Sequence, residues 1–224
     1  YTVTKLCAVP SATVEFTITF DAPETGTSPT PVTSTPISVF GPTLPGGVRV
    51  QIIAPPATRN GFAVAFRKHV LNDIDVQQFL AQTSLAPAAS AADDKAQMQQ
   101  LAANGDIAAL LNFVVSRRKT VLISGGTSSG KTTLLNALLK EIPHSERLVV
   151  IEDAPELKLA HPNSIGLVAV AGGQGEAIVT TDDLMRASLR MRPDRLIVGE
   201  LRGPEVITFM RAINTGHPGS FASI

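Results

Sequence analysis

The 224-residue sequence predicts an α/β protein, in which a mostly parallel sheet is preceded by a smaller, β-rich domain of the α+β type. Three observations support this prediction. Residues 105–224 alternate β-branched runs with helical patterns, as in parallel sheets that are covered on both faces. Residues 1–82 carry strand-like runs. A glycine-rich stretch at 125–132 stands between a predicted strand and a predicted helix, where α/β sheets bind ligands.

The first 82 residues are predicted to form part of an N-terminal domain. Residues 14–20 alternate apolar and polar side chains, which is typical of a half-buried strand. Residues 21–45 are rich in Pro, Thr, Ser and Gly and predict a long exposed loop. Two further strands, at 48–54 and 61–66, and a short amphipathic helix at 72–82 complete this domain.

Small, unpatterned residues follow at 83–92, and we expect an interdomain linker region over 83–104 that includes a polar helix at 93–103. Residues 105–224 then form the larger domain. Its predicted elements are a helix at 107–115, a strand at 120–124, a helix from 131, a strand at 148–151, a helix at 182–191, a strand at 195–198, a helix at 204–214 and an interrupted strand at 220–224. Thr180 and Asp183 have the spacing of a capping box at the start of the helix at 182–191. The chain begins at Tyr1 rather than Met, so we expect a fragment that is truncated at both ends.

Composition limits the classes of function. The formal net charge is zero, which argues against non-specific nucleic-acid binding as the main task. No apolar run approaches the ~20 residues of a membrane helix, so we expect no integral membrane segment. The single cysteine, Cys7, excludes an internal disulfide and suits a reducing cytosol.

The stretch from Gly125 to Thr132 reads G-x-x-x-x-G-K-T, the P-loop pattern. Its glycines let backbone amides fold around phosphate oxygens at the positive end of a helix dipole. Lys131 is predicted to reach the β- and γ-phosphates, and the hydroxyl of Thr132 to contact Mg²⁺. The predicted nucleotide-binding residues are Gly125, Gly126, Thr127, Ser128, Ser129, Gly130, Lys131, Thr132 and Thr133.

Hydrolysis also needs carboxylates that hold Mg²⁺ or orient water. Glu152, Asp153 and Glu156 follow one predicted strand, and Glu200 follows another after Gly199. We predict Thr132, Glu152, Asp153 and Glu200 as Mg²⁺ ligands, partly through water. Glu156 and Glu200 are alternative candidates for orienting the attacking water.

Arginines crowd the second acidic cluster and act either as γ-phosphate sensors and intersubunit contacts or as ordinary cations at a helix C-terminus. They are Arg186, Arg190, Arg192, Arg195 and Arg202. Arg49 and Arg67 reach the nucleotide only if the N-terminal domain folds over it. His217, taken alone, is most simply a structural histidine.

Several longer strings carry a family resemblance. They are S-G-G-T-S-S-G-K-T-T-L-L-N-A-L-L from Ser124, E-R-L-V-V-I-E-D-A-P-E-L from Glu146, H-P-N at 161–163, L-R-M-R-P-D-R-L-I-V-G-E-L-R-G-P-E from Leu189 and I-N-T-G-H-P-G-S from Ile213. With these strings the chain resembles the secretion ATPases of the VirB-eleven family over roughly residues 44–224. Those proteins are cytoplasmic hexameric motors of type IV secretion and conjugation systems.

The resemblance implies a RecA-like P-loop ATPase domain and roles for particular residues. It makes Glu152–Glu156 the family's acidic box and Glu200 its Walker B glutamate. It makes His217 a catalytic γ-phosphate sensor or relay, and Arg49 and Arg67 nucleotide contacts from the N-terminal domain. Two departures stand out. The stretch 21–43 is longer than the family's usual loop. The family's histidine box, a motif that His217 would open, is cut at Ile224 before its second histidine.

The resemblance also implies ATP and Mg²⁺ as cofactors, a homohexamer, and secretion-channel components of the inner membrane as partners. The location it implies is the cytoplasm, at the inner face of the bacterial inner membrane. Direct nucleic-acid binding is not expected. The alternatives are a pilus assembly or retraction ATPase, a nucleic-acid translocase, and a regulatory subunit that binds nucleotide without turnover.

Overall fold

A computed structural model describes residues 2–9, 12–19, 39–44, 48–67, 75–77, 91–171 and 178–224. The chain divides into two compact units, Tyr1–Val32 and Thr33–Ile224. In the first unit, β1 (Thr2–Val9) pairs antiparallel with β2 (Ala12–Thr19). The strand predicted at 14–20 is therefore present, with bounds that differ by one or two residues.

The second unit contains a five-stranded parallel sheet, as the alternating pattern predicts. Its strand order is β6-β10-β9-β7-β8, and each neighbouring pair is parallel. The strands are β6 (Val121–Ile123), β7 (Leu148–Glu152), β8 (Ser164–Val168), β9 (Arg195–Val198) and β10 (Phe221–Ser223). The sequence patterns missed β8, which is short and is interrupted by Gly166, a residue that weakens a strand pattern.

Helices cover both faces of this sheet. They are α2 (Ile107–Ser116), α3 (Lys131–Lys140), α4 (Thr181–Ser188) and α5 (Glu205–Asn214), while the preceding helix α1 (Ala91–Ala103) packs against α2. Buried Val115 of α2 and Leu135 of α3 pack in one cluster with Ile123 and Phe221. Met185 of α4 and Phe209 of α5 belong to a second cluster. Helix α4 begins at a capping box of Thr180 and Asp183, as predicted, but ends at Ser188 instead of Met191.

A smaller antiparallel sheet precedes these elements, with the order β3 (Val39–Leu44), β4 (Val48–Ile53) and β5 (Ala63–Arg67). The prediction of a loop over 21–45 is wrong for β3. The proline-rich pattern misled because β3 is an edge strand whose register shifts between Phe40 and Thr43, and Pro42 stands at that shift. Edge strands and bulges are the places where a sheet tolerates proline.

The smaller sheet shares a core with the parallel sheet. Ile53, Ala57 and Ala63 are buried in the same cluster as Ile151 and Leu167. The turn between β4 and β5 also bonds to β8, since the amide of Arg59 donates to the carbonyl of Gly166 at 3.0 Å. The predicted domain bounds at 82 and 104 stay predictions. The helix expected at 72–82 lies outside the described residues except for 75–77.

None of the helices in the described ranges combines the length and the apolar character needed to span a bilayer.

Candidate functional site

A cavity of about 540 Å³ opens at the carboxyl ends of the parallel strands. It is lined by residues 126–133 after β6 and by the acidic loop at the end of β7, which we define as residues 152–157. Gly199, Glu200 and Arg202 after β9 and Ser223 at the end of β10 complete the lining. The fold therefore brings the predicted P-loop and both predicted acidic clusters to one place.

The P-loop has the backbone form that its glycines predict. Gly130 precedes α3 with a φ of 91°, in the left-handed region that favours glycine. A Cβ at Gly125 would lie 2.6 Å from Oγ of Ser129, so a side chain here would require the Ser129 hydroxyl to move. Nζ of Lys131 donates to the carbonyl of Gly125 at 2.5 Å and folds back over the loop. The loop leads directly into α3, and the N-terminus of a helix favours binding of anions.

Two hydroxyl groups hold the acidic loop from either side. Oγ1 of Thr132 donates to Oε2 of Glu156 at 3.1 Å. Oγ1 of Thr181, in the first turn of α4, donates to Oδ1 of Asp153 at 2.7 Å. Asp153 and Glu156 are both exposed to the cavity. Their carboxylates are thus available to a ligand beside the P-loop threonine.

Glu152 has a different environment, because it is only 3% exposed. Its Oε1 accepts hydrogen bonds from the amides of Glu156 at 2.9 Å and Leu157 at 2.8 Å. Its Oε2 pairs with the guanidinium of Arg59. Both oxygens are therefore engaged by protein donors, and the role of Glu152 as a Mg²⁺ ligand stays a prediction.

Gly199 lets β9 pass close to β7. A Cβ at this position would lie 2.9 Å from Cγ of Glu152. Its amide donates to the carbonyl of Ile151 at 2.8 Å, and its carbonyl accepts from the hydroxyl of Ser223. This close approach directs the next residue, Glu200, into the cavity.

Glu200 forms an ion pair with Arg202. The hydrogen bond from Arg202 holds the pKa of the Glu200 carboxyl below its usual value, helped by the charge of Lys131 and opposed by partial burial. Conversely, Glu200 raises the pKa of Arg202, to which the charges of Asp153 and Glu156 also contribute. Glu200 is therefore an ionised carboxylate at neutral pH.

Three predicted residues lie away from this cavity. Arg49 and Arg67 are exposed and stand opposite each other in the pairing of β4 with β5. His217 precedes β10, whose other end carries Ser223 in the cavity, and its Nδ1 lies 2.9 Å from the carbonyl of Pro193. The structure does not bring these three side chains to the P-loop, so their roles stay predictions.

The arginines predicted near the second acidic cluster also lie at different distances from the cavity. Arg195 is fully buried on β9, and Arg186 pairs with Asp182 along α4. Within the described ranges, Arg202 is the member of this cluster that lines the cavity.

Sequence analysis missed two residues of the site. Arg59 follows a Pro-Pro turn and reaches Glu152, which is 93 positions away in the chain. Ser223 ends a strand that pairs with both β6 and β9. Neither residue belongs to a local pattern, so only the assembled fold reveals them.

The sequence and the fold of this chain are similar to those of known secretion proteins. The model of the type II/IV secretion system protein family matches residues 88–224, which include the whole cavity lining. The chain belongs to this family. Curated proteins to which the chain is similar include the type IV secretion system protein VirB11 of Bartonella quintana, 34% identical over 202 residues, and protein VirB11 of Rhizobium radiobacter, 37% identical over 191 residues.

These alignments cover 83% and 81% of this secretion-family chain and 57% and 55% of the two relatives. The chain thus spans about half the length of the curated relatives it matches. Among solved structures it is similar to the VirB11 ATPase of the Brucella suis type IV secretion system, determined in complex with sulphate. That match has a TM-score of 0.71 at 34% identity and covers 82% of this chain and 54% of the other. The resemblance to secretion ATPases is confirmed.

Proposed function

We propose that this chain is part of an ATP-hydrolysing motor that powers type IV secretion or conjugative transfer. The observation that carries the proposal is that the P-loop and the carboxylates of Glu156 and Glu200 line the same cavity. The names of the relatives, VirB11 proteins of type IV secretion systems, support the transport role.

The cavity suits a nucleoside triphosphate. Its volume of about 540 Å³ lies within the usual range for small-molecule sites. A Cβ at Gly126 or Gly130 would meet no atom within 4 Å, which leaves space for phosphate oxygens beside the loop. Lys131 would leave its contact with the carbonyl of Gly125 and bind the β- and γ-phosphates.

The oxygen donors in the cavity also suit Mg²⁺, which prefers hydroxyl, carboxylate, phosphate and water oxygens. Thr132, Asp153 and Glu200 would hold it, partly through water, and Glu152 would have to give up its present partners to join them. Within the described ranges, no three acidic, histidine or cysteine side chains converge as a complete metal site, so phosphate oxygens and water would supply the remaining ligands. Bound Mg²⁺ would neutralise phosphate charge.

The chain's own residues would divide the work of hydrolysis. Lys131 would stabilise charge on the transferred phosphoryl group, and Glu156 or Glu200 would orient the attacking water. Because Arg202 keeps Glu200 ionised, Glu200 is ready to accept a hydrogen bond from water at neutral pH.

Further contacts would come from outside the cavity. Arg49 and Arg67 would contact the nucleotide after a movement of the N-terminal domain, and His217 would act as a γ-phosphate sensor or relay. The intact protein would assemble as a homohexamer. Nucleotide binding would close the N-terminal domain and product release would free it, which converts phosphate contacts into motion. We propose inner-membrane channel components as partners and the cytoplasmic face of that membrane as the location.

Phosphate release by the full-length protein tests this proposal. We expect Lys131→Ala and Glu200→Gln each to lower kcat by about 10²–10³-fold, since each removes a group that acts on the transition state. Lys140→Ala is the matched control, because Lys140 is exposed at the far end of the same helix. If ATP hydrolysis survives both site substitutions at the rate of the control, the assignment is wrong.

Size analysis with and without Mg·ATP tests the assembly. We expect a species of six subunits in the presence of nucleotide. A monomer under all conditions, at concentrations where hydrolysis is measurable, contradicts the hexamer but leaves the ATPase assignment in place.

A further inference from the structure

The turn between β4 and β5 carries an arginine that spans two structural regions. The amide of Arg59 donates to Gly166 of β8 at 3.0 Å, and the carbonyl of Ala57 accepts from the amide of Val168 at 3.0 Å. Thr58 forms an isolated antiparallel bridge with Leu167. The turn is therefore bonded to the edge of the parallel sheet at Arg59 and at the two residues that precede it.

The side chain of Arg59 crosses this edge. Its stem occupies the space that a side chain at position 166 would need, since a Cβ at Gly166 would lie 2.6 Å from Cδ of Arg59. Beyond the stem, Nη1 donates to the carbonyl of Leu157 at 2.6 Å and Nη2 pairs with Glu152. Arg59 thus holds both the first residue of the acidic loop and the last.

Glu152 transmits this contact to the rest of the loop. Its other oxygen accepts the amides of Glu156 and Leu157, so the carboxylate closes the loop upon itself. Glu156 in turn contacts the hydroxyl of Thr132 in the P-loop at 3.1 Å. A continuous series of polar contacts therefore runs from the β4–β5 turn to the P-loop.

Charge makes this series sensitive to Arg59. The Glu152 side chain is 2% exposed and that of Arg59 is 15% exposed, so both are largely removed from water. A buried carboxylate that loses its cation is strongly unfavourable and is driven towards water. This movement would release the amides of Glu156 and Leu157.

We propose that Arg59 is a positioning residue of the nucleotide site: it holds Glu152, which shapes the acidic loop and places Glu156 beside Thr132. This inference rests on the proposed function, because the loop matters only if it serves Mg·ATP. It also connects the β4–β5 turn to the site through Glu152.

The experiment compares Arg59→Met, which keeps the stem and removes the charge, with Arg59→Lys, which keeps a charge. Asn60→Ala is the control, because Asn60 is an exposed residue of the same turn. Hydrogen exchange of the Glu156 and Leu157 amides is measured in each full-length variant without nucleotide. The amides of β7 report whether the sheet remains folded.

We expect Arg59→Met to speed exchange of these two amides by roughly tenfold or more while β7 stays protected. Arg59→Lys, with one bond to Glu152, should lie between wild type and Arg59→Met. Asn60→Ala should match wild type. If Arg59→Met unfolds the sheet, Arg59→Lys carries the test. Unchanged exchange in the folded variants overturns the inference.

Kinetics separate a positioning role from simple loss of folded protein. We expect Arg59→Met to lower kcat by about tenfold and to raise the Mg²⁺ concentration for half-maximal activity. Loss of a residue that holds a metal ligand in place usually weakens metal binding in this way. The affinity for ATP without Mg²⁺ should stay within about twofold, because the P-loop is unchanged. A lower kcat with an unchanged Mg²⁺ requirement and unchanged exchange contradicts the positioning role.

The two proposals fail in different ways. If wild type releases no phosphate and Lys131→Ala changes nothing, the proposed function is wrong, while the exchange data still decide the role of Arg59. If wild type hydrolyses ATP and Arg59→Met equals Asn60→Ala in every measurement, only the inference about Arg59 is wrong.

Discussion

At the scale of single residues, the acidic side chains of the cavity have three different environments. Glu152 is buried and saturated with hydrogen bonds, whereas Asp153 and Glu156 are exposed and are held by threonine hydroxyls. Glu200 is half-buried and pairs with Arg202. The same residue type therefore shapes a loop in one case and presents an exposed carboxylate to the cavity in another.

The pair of Glu200 and Arg202 leads to a prediction about pH. Arg202 holds the pKa of Glu200 below its usual value, so the carboxylate stays ionised as the pH falls. In Arg202→Ala this pKa should rise towards the ordinary glutamate value. If ionised Glu200 is required, the acidic limb of the pH profile of kcat moves to higher pH. Steady-state phosphate release across the acidic range measures this shift.

Arg211→Ala is the control for this experiment, since Arg211 is exposed near the end of α5. Its acidic limb should coincide with that of wild type. An acidic limb that is the same in Arg202→Ala and wild type would falsify the role of ionised Glu200 in the rate-limiting step.

At the scale of elements, β9 begins with a buried charge and ends at the cavity. Arg195 has no exposed surface. Its guanidinium makes two hydrogen bonds of 2.8 Å to Glu146, which lies two residues before the start of β7. Nη2 also donates to the carbonyl of Val115, at the end of α2, at 2.9 Å. The Arg195 side chain thus connects β9, the segment before β7 and the end of α2 at the amino ends of the strands, opposite the P-loop.

We predict that Arg195→Met costs about 3–5 kcal/mol in the free energy of unfolding, because it leaves Glu146 without its buried partner. The double variant Arg195→Met/Glu146→Gln should recover part of this loss, since no lone charge remains. Urea unfolding at neutral pH measures both values. A double variant that is less stable than Arg195→Met contradicts this account.

The same pair predicts an acid dependence of stability. The hydrogen bond from Arg195 lowers the pKa of Glu146, outweighing the effect of burial, and the charges of Arg195 and Arg118 add to it. A carboxyl whose pKa is lower in the folded state stabilises fully above its unfolded pKa, and that contribution disappears as the pH falls through the folded pKa. Stability of wild type should therefore drop below about pH 4, with a smaller drop in Glu146→Gln.

At the scale of the whole second unit, the smaller sheet and the parallel sheet share one core. Ile53 on β4 is 2% exposed and belongs to the cluster that contains Leu167 of β8 and Met185 of α4. The Arg59 contacts lie at the same junction. Packing and polar contacts thus join β4 and β5 to the elements that carry the cavity.

We predict that Ile53→Ala lowers the free energy of unfolding by about 2–5 kcal/mol, the usual cost of such a cavity in a core. Because the core is shared, unfolding should remain a single transition that moves as a whole. Ile178→Ala is the control, since Ile178 is 67% exposed. Separate transitions, of which only one responds to Ile53→Ala, would show that β3–β5 unfold independently.

Much of the fold follows from patterns that act over a few residues. Alternation of strand and helix periodicities predicted the parallel sheet, and the glycine pattern predicted the P-loop because only glycine readily adopts a φ of 91° at position 130. The capping box at Thr180 also appears as predicted. Where local signals conflicted, prediction failed: β3 contains a proline, and β8 contains a glycine that yields space to Arg59.

The sequence by itself determined the α/β class, the P-loop and the carboxylates that follow β7 and β9, because each depends on neighbours in the chain. Only the tertiary structure decided which of these carboxylates is buried, which is exposed to the cavity, and which partner each one has. It paired Glu152 with Arg59, placed Glu200 against Arg202, and left His217 at the other end of β10. Burial and distant ion pairs set the charge and the partners of a side chain, and both arise only when remote segments meet.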